Sequence, residues 1–144
     1  MISKDTNIYL DIDGTILHED LERYNQPAAH LYDFLDVLKD YPVYWLTTHC
    51  KDGNLNTPQK HLQKLLPQEL FQYVLEYKPT VWNVKKTEGI DFRKPFLWFE
   101  NDVTQDELDV LEKAGKTDSL VRVDLINNQN HLTDIVQNIF HTLK

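Results

Sequence analysis

The sequence is short of several things, and each shortage excludes a class of protein. Cysteine occurs once, at Cys50, so no disulfide can form within the chain. A lone cysteine reads as a small buried residue, because a nucleophilic one needs a base beside it. Basic residues are outnumbered, 15 Lys and Arg against 23 Asp and Glu, giving a formal net charge of −8. A broad groove for nucleic-acid phosphates needs the opposite balance, so nucleic acid is not favoured as a partner, although a site carrying its own cation leaves it open.

Long apolar runs are also missing. None approaches the roughly 18 residues that a bilayer-spanning helix needs, so no membrane association is expected. The N-terminus leads through Lys4 and Asp5 directly into a short strand-like run, unlike a secretory signal, and the expected location is cytoplasmic. Internal repeats and low-complexity stretches are absent. What is present, in 144 residues that are 41% hydrophobic and 26% charged, suits one domain spanning 1–144 with a substantial core.

Strand-like and helix-like segments alternate along that domain. Asn7, Ile8, Tyr9 and Leu10 form a β-prone run ending in acids and a glycine. Pro27 opens a helical stretch whose Leu31, Phe34, Leu35 and Leu38 recur at helical spacing. Residues 43–46 are an uninterrupted apolar run, as in a buried parallel strand. Thr57 and Pro58 predict a helix start, with Leu62, Leu65 and Leu66 on one face, and a short helix should follow Pro67. A further helix is expected over 84–90, and residues 96–99 read as a third buried strand. Thr104 and Glu107 match a capping box, and Gly115 should end the helix they start. A fourth strand is expected at 120–124. Thr133 should cap a last helix that buries Ile135, Val136, Ile139, Phe140 and Leu143. This alternation predicts an α/β, Rossmann-like three-layer sandwich with a mostly parallel sheet, whose ligands bind beyond the carboxyl ends of the strands.

Three strand ends carry groups suited to phosphate or a metal. Asp11 and Asp13 lie two apart in Asp11-Ile12-Asp13-Gly14-Thr15, where Gly14 permits a turn and Thr15 can bond back to it. Carboxylates so close repel each other unless a cation lies between them or one holds a proton. Magnesium accepts oxygen ligands and needs few from protein, and a carboxylate can itself attack phosphorus. Thr47 follows the second strand, where its hydroxyl and backbone N–H could bind a phosphoryl oxygen. Lys86 lies between the second and third strands and could neutralise phosphoryl charge. Asn101 ends the third strand between Glu100 and Asp102 and offers a neutral oxygen.

This ordered series resembles the haloacid dehalogenase superfamily of phosphatases and phosphotransferases. Its motifs are DxDGT, a hydrophobic strand ending in Thr or Ser, a lysine, and a hydrophobic strand ending in an acidic pair. Segments 43–49, 96–102 and 121–143 look like those of small capless members, among them the domain found in multidomain RNA-repair proteins. The resemblance implies a Mg2+-dependent phosphomonoester hydrolase working through an aspartyl phosphate on Asp11. Asp13 would protonate the leaving oxygen and then activate water, with its backbone carbonyl on the metal. Thr47 would bind the phosphoryl group and Lys86 would hold it against Asp11. Ile90, one helical turn beyond Lys86, matches the usual spacing, while Lys85 and Lys78 are the alternatives. The metal would rest on Asp11, Asp13 and Asn101, although Glu100-Asn101 replaces the usual acidic pair. Only about 28 residues separate Gly14 from Val43, too few for a cap domain beside a helix. The implied substrate is a phosphorylated small molecule or a macromolecular phosphate. The other readings are a catalytically impaired binding or regulatory member of the superfamily and a phospho-acceptor signalling domain.

Of the remaining conspicuous residues, Trp45 and Trp98 read as core, and Trp82 as packing or substrate-facing. The six histidines show no metal-ligand spacing, and His49, just past Thr47, reads as a surface-loop residue. Asp106, Glu107, Asp109 and Glu112 read as the first turns and solvated face of a helix.

Overall fold

The computed structural model of the chain describes residues 2–141. Four strands, β1 (Asn7–Leu10), β2 (Val43–Trp45), β3 (Phe96–Glu100) and β4 (Leu120–Arg122), form one sheet in the order β2-β1-β3-β4. Every pairing is parallel, with Leu10 opposite both Trp45 and Phe99, and Glu100 opposite Arg122. The helices are α1 (Leu31–Leu38), α2 (Asn56–Leu65), α3 (Gln68–Val74), α4 (Gln105–Lys113) and α5 (His131–Ile135), the last running into a π turn at Val136–Phe140. The fold is therefore α/β and Rossmann-like, as the alternation of segments implies.

Alternating strand residues feed two separate cores, because successive side chains leave opposite faces of a strand. Ile8, Leu10, Val43, Trp45 and Phe99 join residues of α1, α2, α3 and α5 on one face. Tyr9, Phe96 and Trp98 join Leu111 of α4, Trp82 and Ile90 on the other. Helices α1 and α4 lie on opposite faces because the crossovers β1-α1-β2 and β3-α4-β4 run in opposite directions across the sheet while keeping one hand. That reversal creates a crevice at the carboxyl end of β1, between β2 and β3, where such sheets hold their ligands. No helix is long and apolar enough to cross a membrane among the described residues.

Between Gly14 and α1 the chain forms a tight turn and a small hairpin-like arm, in which His18 N–H donates to Gln26 O (2.8 Å) and Asn25 N–H to His18 O (2.9 Å). No inserted domain occupies that interval or the one between β2 and β3.

Several local expectations need correction. Residues 84–90 contain only a 3-10 turn, Lys86–Gly89, because Glu88 accepts the N–H groups of Asn83, Val84 and Lys85 and so closes a loop, not a helix. Helix α2 begins at Asn56, where the Asn54 side chain accepts the Asn56 N–H (2.9 Å), so Thr57 is already helical. Asn130, not Thr133, stands before α5, and the Thr133 hydroxyl is buried inside the helix without a partner. The fourth strand stops at Arg122, and Leu143 lies outside the described residues.

Candidate functional site

The turn after β1 is built on one carbonyl. Ile12 O accepts N–H bonds from Thr15 (3.2 Å), Ile16 (3.0 Å) and Leu17 (3.1 Å), while Gly14 N–H donates to Leu17 O (2.7 Å). Thr15 thus bonds back through its backbone, and its hydroxyl is buried without a partner. Gly14 sits at φ +77, a conformation that L side chains rarely adopt. A Cβ there would come 2.2 Å from Asn101 Nδ2. The absence of that carbon lets the end of β3 close on the turn, so Asp11, Asp13 and Asn101 gather at one place.

Lys86 reaches the same place from the loop before β3. Its ammonium lies 3.2 Å from Asp11 Oδ2 and 2.6 Å from Glu100 Oε1, with all three side chains nearly enclosed. Lys85 does not make these contacts. The loop is held by Glu107, the buried third residue of α4, whose Oε2 accepts the Lys86 N–H (2.7 Å) while Oε1 accepts the Thr104 N–H (3.0 Å). The expected capping box is present, and it also anchors Lys86, so Glu107 is not on the solvated face. Burial opposes the charge on Lys86, but Asp11 and Glu100 outweigh it and raise the pKa. Burial, followed by the charge of Asp11, pushes the Glu100 carboxyl up to about 9 despite Lys86. Lys86 thus stands as the one ammonium between the Asp11 and Glu100 carboxyls.

Asn101 donates its amide nitrogen to Glu19 Oε1 (3.0 Å), which leaves its oxygen as the atom available to a cation. Asp102 is exposed, and its N–H approaches Glu100 Oε2 at 3.3 Å. Asp11, Asp13, Thr48, Lys86, Glu100 and Asn101 line a pocket of about 270 Å³. A wider, open shelf of about 700 Å³ adjoins it through Thr48 and Trp82. Trp82 is largely buried in the second core, with the Lys51 ammonium 4.9 Å from its ring centre. Thr47 is fully buried at the end of β2, with its hydroxyl accepting the His49 N–H (3.2 Å), so Thr48 and not Thr47 faces the pocket.

The histidines are where sequence reasoning fell short. His49 is not a loose surface residue: its Nε2 lies 2.9 Å from Asp13 Oδ2, and its ring stacks on His61 of α2 at 4.3 Å between centroids. Asp13, His49 and His61 present ligand atoms within 4.8 Å of one another, close enough to hold a metal ion. The hydrogen bond from His49 lowers the Asp13 pKa against the effect of burial, and the same bond raises that of His49. Burial, then His49, lowers that of His61. The separation of 49 from 61 gives no periodic signal, since a turn and the first helical turns of α2 intervene. Cys50 is buried, as its solitary occurrence suggests.

The expected metal ligands Asp11, Asp13 and Asn101 line this pocket together with Glu100. Lys86, however, engages the carboxylates of Asp11 and Glu100, and His49 that of Asp13. Oxygen is the donor that a hard divalent cation takes. The Gly14 cradle that admits Asn101 fits the same use. Comparison with protein-family models, with curated proteins and with solved structures returns no match.

Proposed function

We propose that the chain is a magnesium-dependent phosphatase that cleaves phosphomonoesters through an aspartyl phosphate on Asp11. The observation that carries this reading is the Lys86 ammonium, 3.2 Å from Asp11 Oδ2 at the switch point of a parallel sheet. An enclosed lysine beside a carboxylate can hold a phosphoryl group against it and stabilise charge that develops on the equatorial oxygens. Asp11 attacks phosphorus, and the bond to the ester oxygen breaks as Asp13 gives that oxygen a proton. Asp13 then takes a proton from water, which attacks the aspartyl phosphate, releasing inorganic phosphate and restoring Asp11. The proton delivered first can pass to Asp13 from His49, whose Nε2 lies 2.9 Å from Asp13 Oδ2. Asp11, Glu100, Asn101 and the Asp13 carbonyl would hold Mg2+, which when bound supplies positive charge to phosphoryl oxygens.

The uncapped pocket and its adjoining shelf support a phosphate carried on a small molecule or at the end of a macromolecule. One observation favours the second reading, a binding protein without turnover: Glu100 and Asn101 are both engaged by protein partners, Lys86 and Glu19. Hydrolysis of an aryl phosphate with and without Mg2+ separates the two. Wild type should turn over only with the metal, Asp11→Asn should be inactive, and Asp13→Asn should lose about 10²-fold or more. Equal rates in all three proteins would refute the assignment of Asp11.

A further inference from the structure

We propose that Asp13, His49 and His61 form a second metal site, selective for a borderline divalent ion such as Zn2+, whose filling withdraws Asp13 from acid–base work. Two imidazoles and one carboxylate make the donor set of open zinc sites, with a fourth position left for water. The same set disfavours magnesium, which seeks oxygen and keeps its own waters. The two ions would therefore sort themselves between neighbouring seats by ligand chemistry.

The geometry is close to what the ion needs. Zinc bonds of about 2.0–2.1 Å place tetrahedral ligand atoms about 3.4 Å apart, and the three atoms already lie within 4.8 Å of one another. The Asp13–His49 contact of 2.9 Å is shorter than that spacing. Convergence thus requires the stacked rings, 17° from parallel, to tilt as His61 turns about its side-chain bonds. His61 Nε2 is buried without a hydrogen-bond partner, an orphan that a metal would satisfy.

Each ligand stands on a fixed element. Asp13 belongs to the turn held by Ile12 O, His49 to the 3-10 turn that Thr47 caps, and His61 to α2 beside the buried Leu62. The metal site stands on these residues alone, while its regulatory effect rests on the phosphatase reading. A zinc ion that takes the Asp13 carboxylate removes the group that protonates the leaving oxygen, so zinc should inhibit hydrolysis without displacing magnesium.

Cobalt(II) is the probe, because tetrahedral Co2+ with nitrogen ligands absorbs visible light strongly, whereas Co2+ in an octahedral oxygen seat absorbs weakly. The full chain in excess Mg2+ is titrated with Co2+, alongside His61→Ala, His61→Phe and Asp11→Asn. His61→Phe keeps a ring against His49 but cannot ligate, so it reads the site even where the alanine variant folds poorly. Wild type and Asp11→Asn should develop the strong band and saturate at one equivalent. Both His61 variants should bind at least about 10–100-fold more weakly, the loss expected from removing even an outer-shell partner. A missing band in wild type, or a band unchanged in His61→Phe, overturns the site. Zinc should inhibit aryl phosphate hydrolysis by wild type and spare His61→Phe, and equal inhibition of both overturns the regulatory role. A His61-dependent band in a chain with no hydrolytic activity supports the site and defeats the phosphatase reading instead.

Discussion

Replacing Lys86 with methionine removes the cation from a nearly enclosed cluster while keeping most of the side-chain volume. The ammonium lies 3.2 Å from Asp11 Oδ2, an attraction of about 5 kcal/mol at an effective dielectric of 20, before the cost of burying both ions is subtracted. Breaking a buried pair from one side typically costs about 3–5 kcal/mol, because the remaining charge keeps its burial cost without its partner. The three side chains are only 12%, 9% and 1% exposed, so solvent screening relieves little of that. The cost should be asymmetric. Asp11→Asn leaves Lys86 with Glu100, 2.6 Å away, as a remaining counterion, so this change should cost less than Lys86→Met. Lys86→Met leaves the Asp11 and Glu100 carboxyls enclosed together with no ammonium beside them. The double variant should recover most of the loss, since it contains no isolated buried charge. Urea denaturation in the presence of a chelator, at neutral pH, measures all four corners of the cycle. If Asp11→Asn destabilises as much as Lys86→Met, the charge assignment within the cluster is wrong.

Three further outcomes follow from other contacts. Gly14→Ala should cost about 1–2 kcal/mol from positive φ alone and should dislodge Asn101, whose amide occupies the space of the new methyl group; denaturation reads the first effect and weaker Mg2+ binding the second. Glu107→Ala should cost about 2–3 kcal/mol, since it frees the buried end of α4 and the Lys86 N–H together, and hydrogen exchange at Lys86 should quicken. His18 is buried and its Nδ1 has no partner; burial, then Arg23, lowers its pKa below 6.5. The unfolded chain therefore binds a proton that the native chain refuses, and stability should fall as pH drops from 6.5 towards the native value. His18→Phe should flatten that slope in thermal melts followed across pH.

The legible part of this site is the part set by strand ends. Asp11, Glu100 and Asn101 close apolar runs that read as buried strands, and a reversal of crossover direction brings their ends together. Lys86 was legible by its order between two strands, although the helix expected around it is a short turn shaped by Glu88. Groups that meet through loop packing left no trace. His61 looks like any polar residue on the exposed side of a helix, and only the docking of α2 beside the turn after β2 turns it towards Asp13. Glu107 was legible as a cap because capping is local, whereas its bond to Lys86 spans 21 residues and has no pattern. Thr47 follows the second apolar run, but its burial follows from the direction of the next turn, which Thr47 itself sets by accepting the His49 N–H.

The pocket's charge leads to a last prediction. Among its described lining residues, Asp11, Asp13, Glu19, Glu100, Asp102 and Glu107 are acidic, and Lys86 is the sole lysine or arginine. Glu107 is occupied by backbone N–H groups and Glu100 by Lys86, yet the remaining carboxylates still leave the pocket acidic. A phosphate dianion entering this pocket meets net repulsion, and a chain of net charge −8 offers no wider attraction to offset it. A divalent cation reverses the sign locally: two positive charges against Asp11 would favour ionised Glu100 and leave Lys86 free to face phosphate. Binding of an inert phosphate mimic such as tungstate should therefore be undetectable in a chelator and appear with Mg2+, as calorimetry can read. Glu100→Gln should keep the metal dependence but weaken it, because an amide donates less charge to the cation than a carboxylate. Equal tungstate binding with and without Mg2+ would show that Lys86 and backbone N–H groups suffice, and would remove the electrostatic case for a metal at β1.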